Sequence, residues 1–431
     1  MIMILQLILG LGLLVFLHEL GHFLFARLFG MRVEKFVIFM DLFDVKLFKF
    51  KKGETEYSMG WLPIGGYVKI SGMVDESMDT EHMSQEPKPW EFRYFPAWKR
   101  IIVLLGGIIV NLITGLVIYW GILYFGEKNY LPNNNVTEGI YAYEPGESLG
   151  FQNGDIISKV NDKKVKRFKD AYPNNLFNSN KIEVIRDGST QTIITPPVFE
   201  NMRSKNSLLF SNANHKFTID SIVENSPAYN VGLKKGDVIT TINNHEVSVF
   251  GDIRNILLFK SNNKDSLKIS IDRNGEKLNL STLFDYSSVL GIVSYSHYTT
   301  KKYGILEALY YGYKTSIDML DKNLAGFKAI FANKIEVTKS VTGPIGIAKI
   351  YGDEFSAMKF WQITALISLV LAITNLLPIP ALDGGQILII MIESIIGKEL
   401  PDRIKTSIQI TGLVIIFGLL IFTTINDIIN F

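Results

Sequence analysis

The chain has 431 residues, with 44 basic and 42 acidic side chains and a formal net charge of +2. Hydrophobic residues make up 47% and charged residues only 20%, which excludes disorder and an ordinary soluble enzyme, while the near-neutral charge argues against a nucleic-acid binder held by phosphate contacts. There is no cysteine, so disulfides, thiolate zinc sites, iron–sulfur clusters and a cysteine nucleophile are excluded.

Charge is distributed unevenly. The stretches 1–29, 101–125, 360–396 and 406–425 carry only four charged side chains, Glu19, Arg27, Asp383 and Glu393. Each is long enough to cross a hydrocarbon core, which needs ~20 apolar residues as helix. The first stretch lacks a basic leader and a small-residue cleavage site, so it reads as a retained helix rather than a signal peptide. Residues 30–100 form a basic loop with Arg32, Lys35, Lys46, Lys49, Lys51 and Lys52. The second stretch, 101–125, leads into a long polar insert.

The insert contains a repeat. Residues 150–165 align with 232–247, with six of 16 positions identical, and Ile182–Gly188 echoes Ile269–Gly275. Both copies read as turn, apolar strand and turn, then a later hairpin strand, which predicts two β-rich modules at 126–205 and 206–290. Between 300 and 359, Leu306, Leu309, Tyr310, Tyr313, Ile317, Leu320, Leu324, Phe327 and Phe331 recur at helical spacing. That predicts an amphipathic helix lying on the membrane face, on the helix bundle, or against the β-rich modules. The third apolar stretch is interrupted by Pro378 and Pro380, with Gly384 and Gly385 beyond. Such a break is tolerated at membrane depth only where protein or a cavity covers the freed backbone groups. Lysines and arginines flank the loop after the first stretch and the 397–405 connection. By the positive-inside rule both loops are cytoplasmic, and both termini and the insert lie outside.

The chemistry concentrates in His18-Glu19-Leu20-Gly21-His22. On a helix, residues i and i+4 share one face, so both imidazoles can reach one metal ion, with Glu19 beside them as a base. Ionisable residues within a membrane helix are costly and mark function. Catalytic zinc takes three protein ligands. Without cysteine the third is His, Asp or Glu. His82, His215, His245 and His297 lie in polar segments and read as solvated. The membrane candidates are Asp383, in Asn375-Leu-Leu-Pro-Ile-Pro-Ala-Leu-Asp-Gly-Gly385, and Glu393. Glu393, near the basic connection with Lys398, reads as a surface ion pair.

Together, HExxH in the first membrane helix, N-x-x-P-x-P-x-L-D-G in the third and the repeated modules between them resemble the bacterial RseP-type site-2 proteases, over essentially the whole chain. The G-[LF]-x-x-G-D-[VI]-I pattern of the modules is similar to bacterial PDZ domains, the second copy more closely through Ser226-Pro-Ala228. Residues 63–73 are similar to the family's membrane-reentrant β-loop, Gly107-Ile-Ile-Val-Asn111 to its helix pattern, and 340–346 to the motif before its third helix.

The resemblance implies a polytopic α-helical membrane protein of four transmembrane helices, with a reentrant β-loop and two extracytoplasmic PDZ domains. It implies an intramembrane zinc metalloprotease of the bacterial inner membrane, with its site toward the cytoplasmic side. His18, His22 and Asp383 would hold Zn²⁺, and Glu19 would act as general base and then acid. Asn375 would stabilise the oxyanion or bind substrate backbone, or else only bond the broken helix. Val68, Lys69, Ile70, Ser71 and Gly72 would pair with extended substrate by strand addition, a reading compatible with their being a plain hairpin partner for 45–59. Asn111, Pro378, Pro380 and Gly384 would be structural near the site. The partners implied are the lipid bilayer and single-span membrane substrates already shortened outside, such as anti-sigma factors and signal-peptide remnants. A PDZ-bearing membrane scaffold with a vestigial metal site is the alternative. A transporter is less well supported, because no second broken helix matches the first.

Overall fold

The computed structural model describes residues 2–41, 43, 45–63, 65–73, 86–126, 128–172, 179–196, 209–212, 218–258, 264–285, 289–294, 299–332 and 342–430. The chain divides into two units, Met1–Gly126 with Lys302–Phe431, and Glu127–Lys301.

The first unit carries helices α1 (Ile2–Leu28), α2 (Ala97–Phe125), α3 (Ile305–Phe331), α4 (Pro344–Tyr351), α5 (Ala357–Leu376), α6 (Asp383–Ile396) and α7 (Asp402–Asn430). Of these α1, α2, α5 and α7 are long and apolar enough to cross a membrane. Helices α1 and α2 cross where neither has a side chain. A Cβ on Gly21 would lie 2.3 Å from Gly106 O, and one on Gly106 would lie 2.7 Å from Gly21 O. Small residues let membrane helices approach backbone to backbone, where apolar burial offers no driving force.

The third apolar stretch is two helices. Pro378 has no N–H to continue α5, which ends at Leu376, with Leu377 extended. Ala381 takes a left-handed φ of 72°, and α6 starts at Asp383. The glycines permit the fold-back: a Cβ on Gly384 would meet the carbonyls of Leu376 and Leu377 at 2.4 Å, and one on Gly385 the carbonyl of Ile379 at 2.2 Å. With 14 residues, α6 is about 21 Å long, too short to cross alone.

Between α1 and α2 lies a sheet of order β2-β3-β1-β4, formed by β1 (Val33–Ile38), β2 (Lys46–Lys52), β3 (Thr55–Gly60) and β4 (Tyr67–Ile70). The partner of β4 is β1, antiparallel, with Phe36 opposite Val68. It is not the 45–59 segment, which folds into its own β2–β3 hairpin. Strand β1 intervenes because Val33, Phe36 and Val37 are buried together with Val68 and Ile70. Strand β1 therefore takes an inner position and leaves β4 at the sheet edge.

The amphipathic helix α3 packs on α2 and α5, with Met319 and Leu320 against Tyr119, Ile122 and Leu369. Leu306, Leu309, Tyr310, Tyr313, Ile317 and Leu324 of its apolar stripe are exposed. Glu393 departs from the surface ion pair expected of it. It is 4% exposed and bridges Arg100 of α2 at 3.6 Å and Lys405 of α7 at 2.7 Å, while accepting from Leu400 N at 3.0 Å. Three donors from separate elements make this burial tolerable, and none of them is Lys398.

The second unit contains strands β5 (Lys128–Tyr130), β6 (Ile140–Ala142), β7 (Ile156–Val160), β8 (Lys163–Lys164), β9 (Asn180–Arg186), β10 (Ser189–Thr195), β11 (Phe210–Asn212), β12 (Ile219–Ile222), β13 (Val238–Ile242), β14 (His245–Glu246), β15 (Lys264–Arg273), β16 (Glu276–Asp285), β17 (Ile292–Ser294) and β18 (Thr299–Lys301). The repeat appears as two equivalent sheets, β10-β9-β7-β8 and β14-β13-β15-β16. The expected boundary at 205/206 falls short. Strand β11 pairs with β6 and buries Leu209 and Phe210 in the first core, and β12 pairs with β17, beyond residue 290. These closing strands carry no repeated pattern, so the alignment did not reach them. Strands β5 and β18 pair and bring the ends of the insert together.

One buried ion pair joins the two halves of each repeat. Arg186 holds Asp155 through two bonds of 2.7 Å, and Arg273 holds Asp237 at 2.7 and 2.8 Å. Burial pushes the Asp237 carboxyl up. The Arg273 guanidinium and the Lys234 amide outweigh this and hold it below the ordinary carboxylate range. Because its folded value is lowered, the carboxylate adds stability above the unfolded value of about 3.9 and loses it as pH falls through the lowered one. Asp237→Asn is therefore expected to reduce amide-exchange protection of β13 and β15 at pH 7. The difference from wild type should begin to shrink only below about pH 4 and close as pH falls through the lowered value.

Candidate metal centre

The site is built where α1, α2 and α6 meet. His18 and His22 stand one turn apart on α1, and Asp383 opens α6. His18 Nε2 lies 3.1 Å from His22 Nε2 and 3.2 Å from Asp383 Oδ2, and His22 Nε2 lies 3.5 Å from that same oxygen. Two atoms bound about 2.0–2.1 Å from one zinc ion at tetrahedral angles stand about 3.3–3.4 Å apart, so the triangle has the size of one face of such a site. Among the described residues these three form the one group of His, Asp or Glu whose ligand atoms converge in this way. The donor chemistry also fits. Asp383 Oδ2 is buried without a hydrogen bond, an arrangement that is costly unless a cation faces it.

The imidazoles are held from behind by α2. His22 Nδ1–H donates to Val103 O at 2.9 Å, which leaves Nε2 its lone pair. Asn111, 1% exposed, stands 3.1 Å from His18 Nδ1 through its amide. Between them, Gly107 makes the approach possible: a Cβ there would lie 2.6 Å from His18 Cε1 and from His22 Nε2.

The ligands face a cavity of about 80 Å³, room for a few water molecules. Glu19, 9% exposed, lines it beside them. Asn375, from the end of α5, lines it too, its amide nitrogen 3.2 Å from His18 Nε2. The five strand residues separate by face. Val68 and Ile70 line the cavity. Lys69 and Ser71 turn to Glu34, at 3.6 and 2.7 Å. Gly72, with φ +73°, ends the strand and borders a neighbouring polar pocket. Pro378, Pro380 and Gly384 lie in the α5–α6 turn and form the break described above. His245 is exposed on β14, whereas His82, His215 and His297 fall outside the described residues, as do Ile64 of the 63–73 segment and Ser340 and Val341 of the 340–346 motif. Sequence reasoning missed Tyr67, Met73, Val103, Leu382 and Gln386, which also line the cavity. Val103 acts through its carbonyl, which leaves no mark on residue type. Gln386 could have been read from its place one turn beyond Asp383.

Comparison with known proteins identifies the family. The model of peptidase family M50 matches residues 6–419. The chain belongs to peptidase family M50, the site-2 proteases. A relative from Borreliella burgdorferi, whose name carries the words zinc metalloprotease, is 29% identical over 98% of each chain. The regulator of sigma E protease of Haemophilus influenzae is 26% identical over 97% of each. The regulator of sigma-W protease RasP of Bacillus subtilis is 26% identical over 97% of this chain and 96% of its own. As a member of M50 the chain is a zinc metalloprotease of the membrane, and the scaffold reading gives way.

The packing of α1 on α2 sets a test. Gly107→Ala is expected to lower bound zinc well below one equivalent in purified protein, measured by elemental analysis. Gly121→Ala, on the same helix with open space around it, should leave it at one.

Proposed function

We propose that this M50 protease hydrolyses peptide bonds within single-span membrane proteins that an earlier cut has shortened outside. Anti-sigma factors and signal-peptide remnants are the substrate classes the family suggests, and the sigma-regulating names of two relatives support the first. The observation that carries the reading is the convergence of His18, His22 and Asp383 on one cavity that an edge strand also lines.

In this reading His18, His22 and Asp383 hold the zinc ion. Zinc bound there supplies Lewis acidity, polarising the scissile carbonyl and making water nucleophilic at neutral pH. Glu19 takes the proton of the attacking water and returns it to the leaving nitrogen. Asn375 donates its amide N–H to the oxyanion developing on the scissile carbonyl. A helical substrate hides its peptide bonds, so it must be extended before cleavage. The outer edge of β4 pairs with it by strand addition. Val68 and Ile70 lie toward the reacting bond, whereas Lys69, Ser71 and Gly72 contribute backbone. The basic 30–100 and 397–405 segments face the cytoplasm, and both termini and the insert face outward across the inner membrane. The two β-rich modules are PDZ domains that exclude substrates with bulky outer domains, and 63–73 reenters the membrane.

Glu19→Gln should keep one zinc per chain and lose cleavage of a model membrane peptide by on the order of 10²–10⁴-fold. Loss of zinc together with activity would instead assign Glu19 to the ligand set. The filter is tested by replacing 128–301, whose ends pair through β5 and β18, with a short linker. An intact substrate should then be cut in a reconstituted bilayer, and continued resistance would overturn the filter.

A further inference from the structure

We infer that Asn111 is a positioning residue for the metal centre: its side-chain oxygen accepts the Nδ1 proton of His18, which directs the Nε2 lone pair of that imidazole at the ion. The inference rests on the ligand set proposed above and extends it to α2.

His18 Nε2 is the nitrogen that faces His22 Nε2 and Asp383 Oδ2, at 3.1 and 3.2 Å, so Nε2 must carry the lone pair when a cation is bound. A neutral imidazole has one N–H. The proton then sits on Nδ1, and the group opposite Nδ1 must accept it. That group is the Asn111 amide, 3.1 Å away. Its Nδ2 is the atom nearest His18, and its Oδ1 is buried with no partner. Rotating the amide by half a turn exchanges the two atoms, gives the orphaned oxygen the imidazole proton, and fixes the tautomer a metal ligand needs. With the amide as it stands, Nδ1 accepts from Nδ2 and the proton is driven to Nε2, where it blocks coordination. The orientation of Asn111 and the metal-binding form of His18 are thus coupled.

The backbone is arranged for this contact. Val103, Gly107 and Asn111 are spaced i, i+4, i+8 on one face of α2. They face His22, both imidazoles and His18 in turn, so the two helices run antiparallel at the site. The backbone oxygen of Asn111 accepts from Ser368 Oγ of α5 at 2.7 Å, which anchors the turn that carries the amide. A residue serving only to bond helices together would need no particular atom opposite Nδ1.

The test uses the full chain purified in detergent and compares zinc affinity by chelator competition, the visible absorption of the Co²⁺-substituted protein, and the metal-free thermal midpoint. Asn111→Leu, which keeps the shape and removes the acceptor, should weaken zinc binding about 10–100-fold and alter the cobalt bands. Asn111→Asp, whose carboxylate accepts the same proton, should return affinity to within a few-fold of wild type and restore the bands. If Asn111→Leu does not accumulate, Asn111→Ala takes its place. Wild-type affinity and bands in the Leu or Ala variant would overturn the inference. So would an Asp variant as weak as the Leu variant, because packing alone would then explain both. His18→Ala separates this failure from failure of the ligand set: it should lose zinc outright, and if it retains wild-type affinity the ligand assignment itself is wrong.

Discussion

The proposed metal centre depends on the close crossing of α1 and α2. Two imidazoles and a carboxylate have to be held within 3.1–3.5 Å of one another among apolar helices, where an unsatisfied polar group costs several kcal/mol. A crossing padded by ordinary side chains would hold α2 too far away to reach the imidazoles from behind. Gly21 and Gly106 remove the padding at the crossing itself, and Gly107 removes it where the rings lie. Val103 O can then take one imidazole proton, and the Asn111 amide stands against the other ring. Gly21 therefore belongs to the chemistry of HELGH as much as the residues around it do, although it touches no metal.

The proposed third ligand, Asp383, raises a different difficulty. A carboxylate in the middle of a continuous membrane helix would be stranded in hydrocarbon. Here the helix is broken instead, and the acid sits at the first residue of the new one. Pro378 stops α5, the left-handed Ala381 reverses the chain, and Gly384 and Gly385 lie against the carbonyls of the helix just ended. Asp383 thereby gains the positive end of α6, and Asn375, from the end of α5, is held over the same cavity. The same eleven residues thus make the break and supply two of the functional groups.

Much of this was legible in the sequence because it rests on residue types that are rare in their setting. Charges within apolar stretches, prolines at membrane depth and a repeated Gly-Asp turn need no neighbours to be noticed. What could not be read depends on partners far away in the chain. Strand β1 has no alternation that distinguishes it from the end of α1, so its pairing with β4 leaves no mark in the sequence. Strands β11 and β17 close the two modules with unlike residues, Phe210-Ser211-Asn212 and Ile292-Val293-Ser294, so the repeat carries no sign of them. Val103 acts through a backbone atom. The division of β4 into a cavity face and a Glu34 face follows from strand alternation, yet which face is which is set by β1 and α1.

Glu393 shows where inference from residue type fails and how structure repairs it. Both acids of α6 are rare charges in an apolar stretch, and on that ground they are equivalent. They differ in how fully they are satisfied. Glu393 is closed off by Arg100, Lys405 and the Leu400 amide, which tie α2, α6 and α7 together. Asp383 leaves Oδ2 without a hydrogen bond, turned toward two ring nitrogens. A buried acid whose oxygens are saturated by the protein has nothing left to offer a ligand, and removing one of its partners would strand a charge. A buried acid left short of donors is stable only if something outside the chain completes it. On this criterion the pair of charges on one helix resolves into a fastening and the carboxylate proposed as a metal ligand.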